Sequence, residues 1–388
     1  MAIRYIRQAS QKTLKGVALV RLDFNTEDDW RVAAAIPTMK FLLLHAAKII
    51  VISHKGRPPA YRSGFHGPAM GAAKKFSLKA DSRKLQKLLH HRINFISHFD
   101  FEAIKGMVDD APGGSVFLLE NLRFMDGEAR NDARFAKKLA SLADYYVNDA
   151  FAVSHRANAS VAAVTKFLPS FAGLGLELEI FSLSRAMENP RRPLVLILGG
   201  GKASDKLGIL RYFKNTADYF LVGGAAANTI LFLKGVNIGE SLIEEDPREL
   251  RKLKSVVRYK NVFLPTDVVW AGGRILDIGK RTEIYFSKIV GRAKTIIWSG
   301  PLGFVEKKPY ENGSVAVARA ILRNKKAFSL AGGGETVMFL KKYGFDKKFS
   351  FISTGGGAML EFLEGKKLPG IKALEFKNNL PYTHKKEK

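Results

Sequence analysis

The sequence predicts an α/β protein of two doubly wound domains, each with a mostly parallel sheet and joined to the other by a helix. Three observations carry that prediction. Short apolar runs end abruptly in polar or glycine-rich punctuation, as buried parallel strands do where their carboxyl ends open into functional loops. Helix-like stretches alternate with these runs, the signature of repeated strand–helix–strand units. The chain has 388 residues, 46% of them hydrophobic, so it exceeds the size at which one core stops growing and has apolar surface for two.

In the first half the strand candidates are GVALVRLDFN (16–25), KIIVISHKGRP (48–58), SVFLLENLRF (115–124) and DYYVNDAF (144–151). Between the last two, DARFAKKLASLA (132–143) reads as a helix capped by Asp132. The segment GLGLELEIFSLSRAMENP (173–190) has periodic apolar positions and reads as one long helix stopped by Pro190, a natural connector. The second series comprises PLVLILGGG (193–201), DYFLVGGAA (218–226), TIIWSGPLG (295–303), AFSLAGGGE (327–335) and FSFISTGGG (349–357). The expected division is therefore a first domain over 1–172 and a connector with a second domain over 173–375.

Composition narrows the function classes. No apolar run approaches the roughly 20 residues of a membrane-spanning helix. The first residues, MAIRYIRQASQKTLKG, lack the apolar core and small-residue cleavage site of a secretory signal. The absence of cysteine rules out disulfide and thiolate chemistry and suits a reducing cytoplasm, where a soluble monomer is expected. The formal net charge is +27, from 63 Lys and Arg against 36 Asp and Glu. Such an excess attracts polyanions at low salt. Much of it lies in helix-like stretches such as 83–92 and 248–260, where charge runs form solvated faces, and no nucleic-acid-binding motif accompanies it. A nucleic-acid partner is therefore not expected.

Ligands of open doubly wound sheets gather beyond the carboxyl ends of the strands. There the two halves differ. The first ends its strands in charge: Arg21, Asp23 and Asn25, then His54 and Arg57, then Arg123, then His155 and Arg156, with Arg31 following the first group. Arginine pairs bidentately with carboxylate and phosphate oxygens, so such a crest suits a small ligand bearing both. The second half ends five strands in glycine, at 199–201, 223–224, 300 and 303, 332–334 and 355–357. Glycine lets backbone N–H groups approach an anion, and a following helix N-terminus adds partial positive charge, which suits nucleotide phosphates. Lys202 and Lys206, four apart in GGGKASDK, are placed to project from one face of an emerging helix toward successive phosphates. Glu335 and Glu306 stand out as candidates for magnesium and for ribose hydroxyls.

The segments VRLDFN, HKGRP, LLENLRF, NDAFAVSHRANAS, GGGKASDK, IIWSGPLGFVE, AGGGET and STGGGA resemble, in order, the signature segments of the phosphoglycerate kinase family. The resemblance spans residues 17–375. It implies two Rossmann-like three-layer α/β/α domains, the first binding 3-phosphoglycerate or 1,3-bisphosphoglycerate and the second ADP or ATP with Mg2+. It also implies that the chain's end, residues 376–388, packs back on the first domain. By this resemblance Asp23, Asn25, Arg31, His54, Arg57, Arg123, His155 and Arg156 surround the phosphoglycerate, and Arg31 meets transition-state charge. Lys202 stabilises the phosphoryl group in flight, Lys206 holds nucleotide phosphates and Glu306 takes the ribose. Gly200, Gly201, Gly223, Gly224, Pro301, Gly333 and Gly334 border the nucleotide, Glu335 and Thr336 position Mg-nucleotide, and Gly356 offers its N–H to the phosphoryl group. The implied reaction is in-line phosphoryl transfer with no covalent enzyme intermediate, by hinged closure about the connector.

The sequence departs from the family pattern at several points. Glu335 stands where Asp is usual, Ser299 where Asn is, Gly201 where Ala is, and Lys280 where Pro is. TEDDW follows Asn25 in place of a VPL-type segment. A dehydrogenase reading would need GxGxxG at the first βα turn with an acidic residue about 20 positions on, and neither half supplies it. A nucleic-acid-binding protein, or a kinase with a second anionic partner, are the readings that the +27 charge would otherwise invite.

Overall fold

The computed structural model describes residues 3–25, 30–58 and 74–375. Residues 26–29, most of the TEDDW segment, and 376–388 lie outside the described residues. By its internal contacts the chain divides into two compact units, the first ending at Leu178 and the second running from Glu179 to Lys366. Residues from Lys367 belong to the first unit.

The first unit is built on six strands: β1 Val17–Arg21, β2 Lys48–Ile52, β3 Ile93–Ile96, β4 Val116–Leu119, β5 Tyr145–Asn148 and β6 Ser170–Ala172, in the order β3-β4-β2-β1-β5-β6. Every pairing is parallel, with Leu19 opposite Ile50 on one side and Tyr146 on the other. Parallel strands covered on both faces need apolar residues at successive positions rather than alternate ones. Val116–Leu119 and Tyr145–Asn148 are buried throughout. The core gathers Val20, Leu22, Met39, Leu42, Val51, Leu85, Leu118 and Val147, each without exposure, at about 1.5–3 kcal/mol for a large aliphatic side chain. The helix Ala133–Ala140 begins at Asp132, whose carboxylate accepts the Phe135 amide at 2.7 Å, as its sequence predicts.

The second unit also has six parallel strands, β7 Leu194–Leu198, β8 Tyr219–Val222, β9 Val262–Phe263, β12 Thr295–Ser299, β13 Phe328–Gly332 and β14 Phe351–Ile352, but in a different succession, β14-β13-β12-β7-β8-β9. A separate antiparallel ribbon joins β10 Val268–Ala271 to β11 Arg274–Ile278. In the six-stranded sheet Trp298 of β12 lies wholly buried, against Phe339 and Phe349. The sheets therefore contain three strands, β3, β6 and β9, that the apolar runs alone did not announce. Each is short, and all three stand at sheet edges, where a continuous run is not required.

The connector is the helix Leu174–Met187, which ends three residues before Pro190 and contains the division between the units. The division falls at Leu178, within the helix, because its first turn is tied to the first unit: Asp149 accepts the Leu176 amide at 2.9 Å and Thr38 accepts that of Leu174 at 2.9 Å. The return to the first unit comes earlier than 376–388. Gly370 donates its amide to Ser154 at 2.8 Å and Ile3 bridges Glu375, so residues from Lys367 onward differ from the expected assignment to the second domain.

Candidate active site

In the first unit the loops beyond β1, β2, β4 and β5 form a crest whose charged side chains are held in place by their neighbours. Asp23, largely buried, accepts Arg31 Nη1 at 2.9 Å and the Asn25 amide at 3.1 Å, and Arg31 Nη1 also donates to Asn25 O at 3.2 Å. The Asn25 amide oxygen accepts the Gly56 amide at 2.7 Å, and Gly56 O accepts Arg123 Nη1. At Gly56, φ of +60° and the Phe76 ring close against Cα leave no room for a side chain. Arg156 donates through Nε to His155 Nε2 at 3.1 Å. Arg57 is exposed.

These cations repel one another. Burial first, then the charges of Arg156, Arg21 and Arg57, draw the Arg123 guanidinium down to about 10. Burial, followed by Arg21, Arg123, Arg156 and Arg31, holds His54 well below its ordinary value, so its imidazole is neutral at pH 7. The His54 Nε2 atom is buried without a hydrogen-bond partner, and so is Arg31 Nε. A crest that collects positive charge and leaves buried donors unused has the chemistry that suits an anion.

Arg21 differs from its expected place among the ligand-facing arginines. It is 1% exposed and directs its donors inward, to Ser160 Oγ at 2.9 Å, to Leu22 O, to Ser53 Oγ at 3.4 Å and to His54 Nδ1 at 2.9 Å. Ser160 in turn is held by Glu128, itself 1% exposed. Ser160 closes the NDAFAVSHRANAS segment, but neither its role nor that of Glu128 can be read there, since both depend on contacts far along the chain.

The crest of the second unit is made of backbone. Gly199 donates to Ser299 O at 3.0 Å, Gly200 to Pro301 O at 2.7 Å, Gly223 to Leu198 O at 2.8 Å and Gly224 to Leu302 O at 3.1 Å. Gly300 donates to Thr336 Oγ1 at 2.7 Å. These amides are thus committed within the protein instead of being offered to phosphates, and the glycines are required because the strand ends touch backbone to backbone. A Cβ at Gly224 would meet Gly200 N at 2.9 Å, and one at Gly223 would meet Leu302 O at 2.9 Å. Unpartnered amides belong by geometry to helix N-termini. Here these are the starts of Gly334–Lys342 and Gly357–Leu363, each entered through a glycine of positive φ, Gly333 at +93° and Gly356 at +50°. The loop leading to the second is anchored by Glu179, whose carboxylate accepts Thr354 Oγ1 at 2.7 Å and Ser353 Oγ at 2.8 Å.

Lys202 and Lys206 do not share a helix face. Lys202 is exposed and precedes the helix Ser204–Tyr212, whereas Lys206 is 7% exposed within its first turn. Burial lowers the Lys206 ammonium below its ordinary value, offset by Asp205, Glu335 and Glu364 nearby. Gly201, Glu306 and Glu335 are exposed. Thr336 is fully buried and serves Gly300, and Ser299 Oγ is buried without a partner. Among the described residues no three His, Asp or Glu converge into a metal cage. A single exposed carboxylate at the helix start fits an ion that arrives on nucleotide phosphates, the usual manner of Mg2+.

Two six-stranded parallel sheets, one crested by held cations and the other by glycines and helix starts, fit a phosphotransferase that takes two anionic ligands. Comparison with known proteins gives the family. A phosphoglycerate kinase family model matches residues 11–366. Curated relatives named phosphoglycerate kinase include one from Dictyoglomus turgidum, 39% identical over 97% of this chain and 100% of its own length, and one from Desulfosudis oleivorans, 41% identical over 92% and 95%. Among solved structures, phosphoglycerate kinase from Coxiella burnetii superposes with a TM-score of 0.81 at 33% identity, covering 96% of this chain and 98% of that one. The enzyme from Pyrococcus horikoshii OT3 gives 0.81 at 28% identity with the same coverages. The chain belongs to the phosphoglycerate kinase family, and its activity is the glycolytic phosphoryl transfer between 1,3-bisphosphoglycerate and ADP.

Proposed function

We propose that the arginine crest of the first unit binds 3-phosphoglycerate and its acyl phosphate, while the glycine crest of the second binds ADP or ATP with Mg2+. The observation that carries this reading is the buried, partnerless donor of His54 amid Arg31, Arg123 and Arg156. Asp23, Asn25, Arg57, His155 and Arg156 complete the phosphoglycerate site. Arg31, steered by Asp23 and retaining an unused Nε, meets the charge that develops on the transferring phosphoryl group.

In the second unit Lys202, Lys206 and the amides at Gly333, Gly334 and Gly356 face the phosphates. Gly200, Gly201, Gly223, Gly224 and Pro301 shape the nucleotide pocket by their backbone, with Thr336 fixing Gly300 behind it. Glu306 takes the ribose, and Glu335 holds Mg2+, which when bound neutralises phosphate charge. A β-phosphate oxygen of ADP forms a bond to the phosphorus of the acyl phosphate as its bond to the carboxyl oxygen breaks, and the carboxylate leaves with that electron pair. Direct transfer needs both substrates bound together and no proton from the protein. The enzyme works as a cytoplasmic monomer without a nucleic-acid partner; the absence of cysteine supports the compartment.

The test is a coupled assay with 3-phosphoglycerate and Mg-ATP on wild type and Arg31→Ala. Turnover should fall by roughly 10²–10³-fold, the scale of losing one charge-stabilising donor, with thermal unfolding little changed. Unchanged turnover would remove Arg31 from its role.

A further inference from the structure

The chain of contacts behind His54 reaches beyond any residue that could touch a ligand. Glu128 Oε1 accepts Ser160 Oγ–H at 2.7 Å and Glu128 Oε2 accepts the Ser160 amide at 2.9 Å. With its proton given to Glu128, Ser160 Oγ is free to accept Arg21 Nε at 2.9 Å. Arg21 Nη2 then meets His54 Nδ1 at 2.9 Å. A guanidinium has donors and no acceptor, so in this contact Nδ1 must be the acceptor. The single proton of a neutral imidazole therefore sits on Nε2, the buried atom without a protein partner. Asp23 lies 4.0 Å from His54 Nδ1, too far to compete for it by hydrogen bonding.

We propose that Glu128 and Ser160 are positioning residues of the phosphoglycerate site: they hold Arg21 so that it fixes His54 as the Nε2–H tautomer, a donor to the anionic substrate. The consequence of losing them is specific. An imidazole free to carry its proton on Nδ1 turns a lone pair toward an oxyanion and converts an attraction into a repulsion. Glu128 is suited to the task because both groups facing it on Ser160 are donors, which a glutamine, with one acceptor and one donor end, cannot satisfy together. Burial of all four side chains makes the arrangement rigid, and Tyr146 adds to it by donating to Ser160 O at 2.6 Å.

The inference rests on the phosphoglycerate-site reading, and its test has a readout independent of turnover. Long-range nitrogen–proton NMR of the histidine rings in the full chain reports the tautomer, with the His54 signal assigned by its loss in His54→Gln. Wild type should show a protonated Nε2 and a bare Nδ1. In Ser160→Ala and Glu128→Gln the signal should move toward the Nδ1–H form. KM for 3-phosphoglycerate should rise about tenfold or more, as the loss of a charged-group hydrogen bond implies, while KM for Mg-ATP stays within about twofold. Ser160→Thr, which keeps the hydroxyl, should restore both. A wild-type His54 protonated on Nδ1 overturns the proposal outright, as does a Ser160→Ala enzyme that keeps the Nε2–H form and an unchanged KM. If Ser160→Ala does not fold, the wild-type spectrum and Ser160→Thr decide. Absence of turnover in wild type would sink the phosphoglycerate reading and leave the tautomer result standing.

Discussion

The two units build six-stranded parallel sheets of the same kind and crown them with opposite materials. In the first, side chains make the surface, and a second layer of residues aims them: Asp23 bonds Arg31, Gly56 O holds Arg123, and Glu128 bonds Ser160, which bonds Arg21. In the second, backbone defines the surface. Strand ends meet at Gly199, Gly200, Gly223, Gly224 and Gly300, and of the polar side chains beside them Lys202, Glu306 and Glu335 stand exposed while Thr336 is buried in support of Gly300. The first crest resists its own geometry, since like charges converge. The second is intolerant sterically, since Gly199, Gly223, Gly224 and Gly300 leave no space for a Cβ. Damage to the first should therefore appear in binding and spare the fold, and damage to the second should appear in the fold.

The largest effect expected is Gly300→Ala. Gly300 has φ of +90°, and a Cβ there would fall within contact of Gly199 O and meet Gly200 N at 2.8 Å, both backbone atoms that cannot turn aside. Strain of that kind together with the clash should destabilise the second unit by on the order of 5 kcal/mol, read as an early unfolding transition in calorimetry. A variant with wild-type stability would show that the crest can yield. A second test concerns Asp277, at the end of β11, which is 2% exposed and held by the amides of Gly313 and Ile278, each at 2.8 Å. Burial first, with Glu283 and Glu311 adding to it, raises its carboxyl to about 7 against the amides that lower it. An acid whose folded pKa is raised contributes stability that is whole below its unfolded value near 3.8 and is lost as pH rises through about 7. The unfolding free energy of wild type relative to Asp277→Asn should therefore fall between pH 4 and pH 7, by at most about 4 kcal/mol for a shift of that size. A difference flat across that window would show the carboxyl ionised throughout.

How much of this was legible follows from what the sequence can encode locally. The strand runs, the Asp132 cap, the arginine-bearing strand ends and the glycine clusters all lie in contiguous residues, and the structure places them as read. At Gly199, Gly200, Gly223, Gly224 and Gly300 the amides serve the protein itself, because an N–H that a strand end turns toward a neighbouring oxygen looks, in sequence, identical to one turned toward a phosphate. The helix face shared by Lys202 and Lys206 failed because the helix begins at Ser204, after Lys202. The inward role of Arg21, and Glu128 altogether, were beyond reach for a different reason. Arg21 and Ser160 are 139 residues apart and Ser160 and Glu128 are 32 apart, separations that only the closed sheet brings to bonding distance.

Smaller effects sharpen the contrast from the side of the ligands. An anion that relieves the repulsion on the first crest stabilises the folded form by mass action, about 2.7 kcal/mol at a hundredfold excess over Kd. Titration with 3-phosphoglycerate alone, without nucleotide, should raise the first unit's unfolding temperature accordingly. Arg31→Ala should largely abolish that rise. An equal rise in Arg31→Ala would place the anion elsewhere.

The smallest effect expected is also the most discriminating, because it has opposite signs in binding and in folding. Arg156 adds to the positive field that lowers both Arg123 and His54, and it bonds His155 through Nε. In the proposed site its replacement by alanine removes a donor to the substrate; in the fold it removes a like charge from a crowded set. KM for 3-phosphoglycerate should rise about tenfold, close to 1.4 kcal/mol, while the unfolding temperature without ligand holds or rises slightly. Removal of an ordinary paired surface arginine would do the reverse, leaving KM alone and costing a little stability. A loss of both together would mean that Arg156 supports the fold, and the division between a crest of poised charge and a crest of packed backbone would no longer hold.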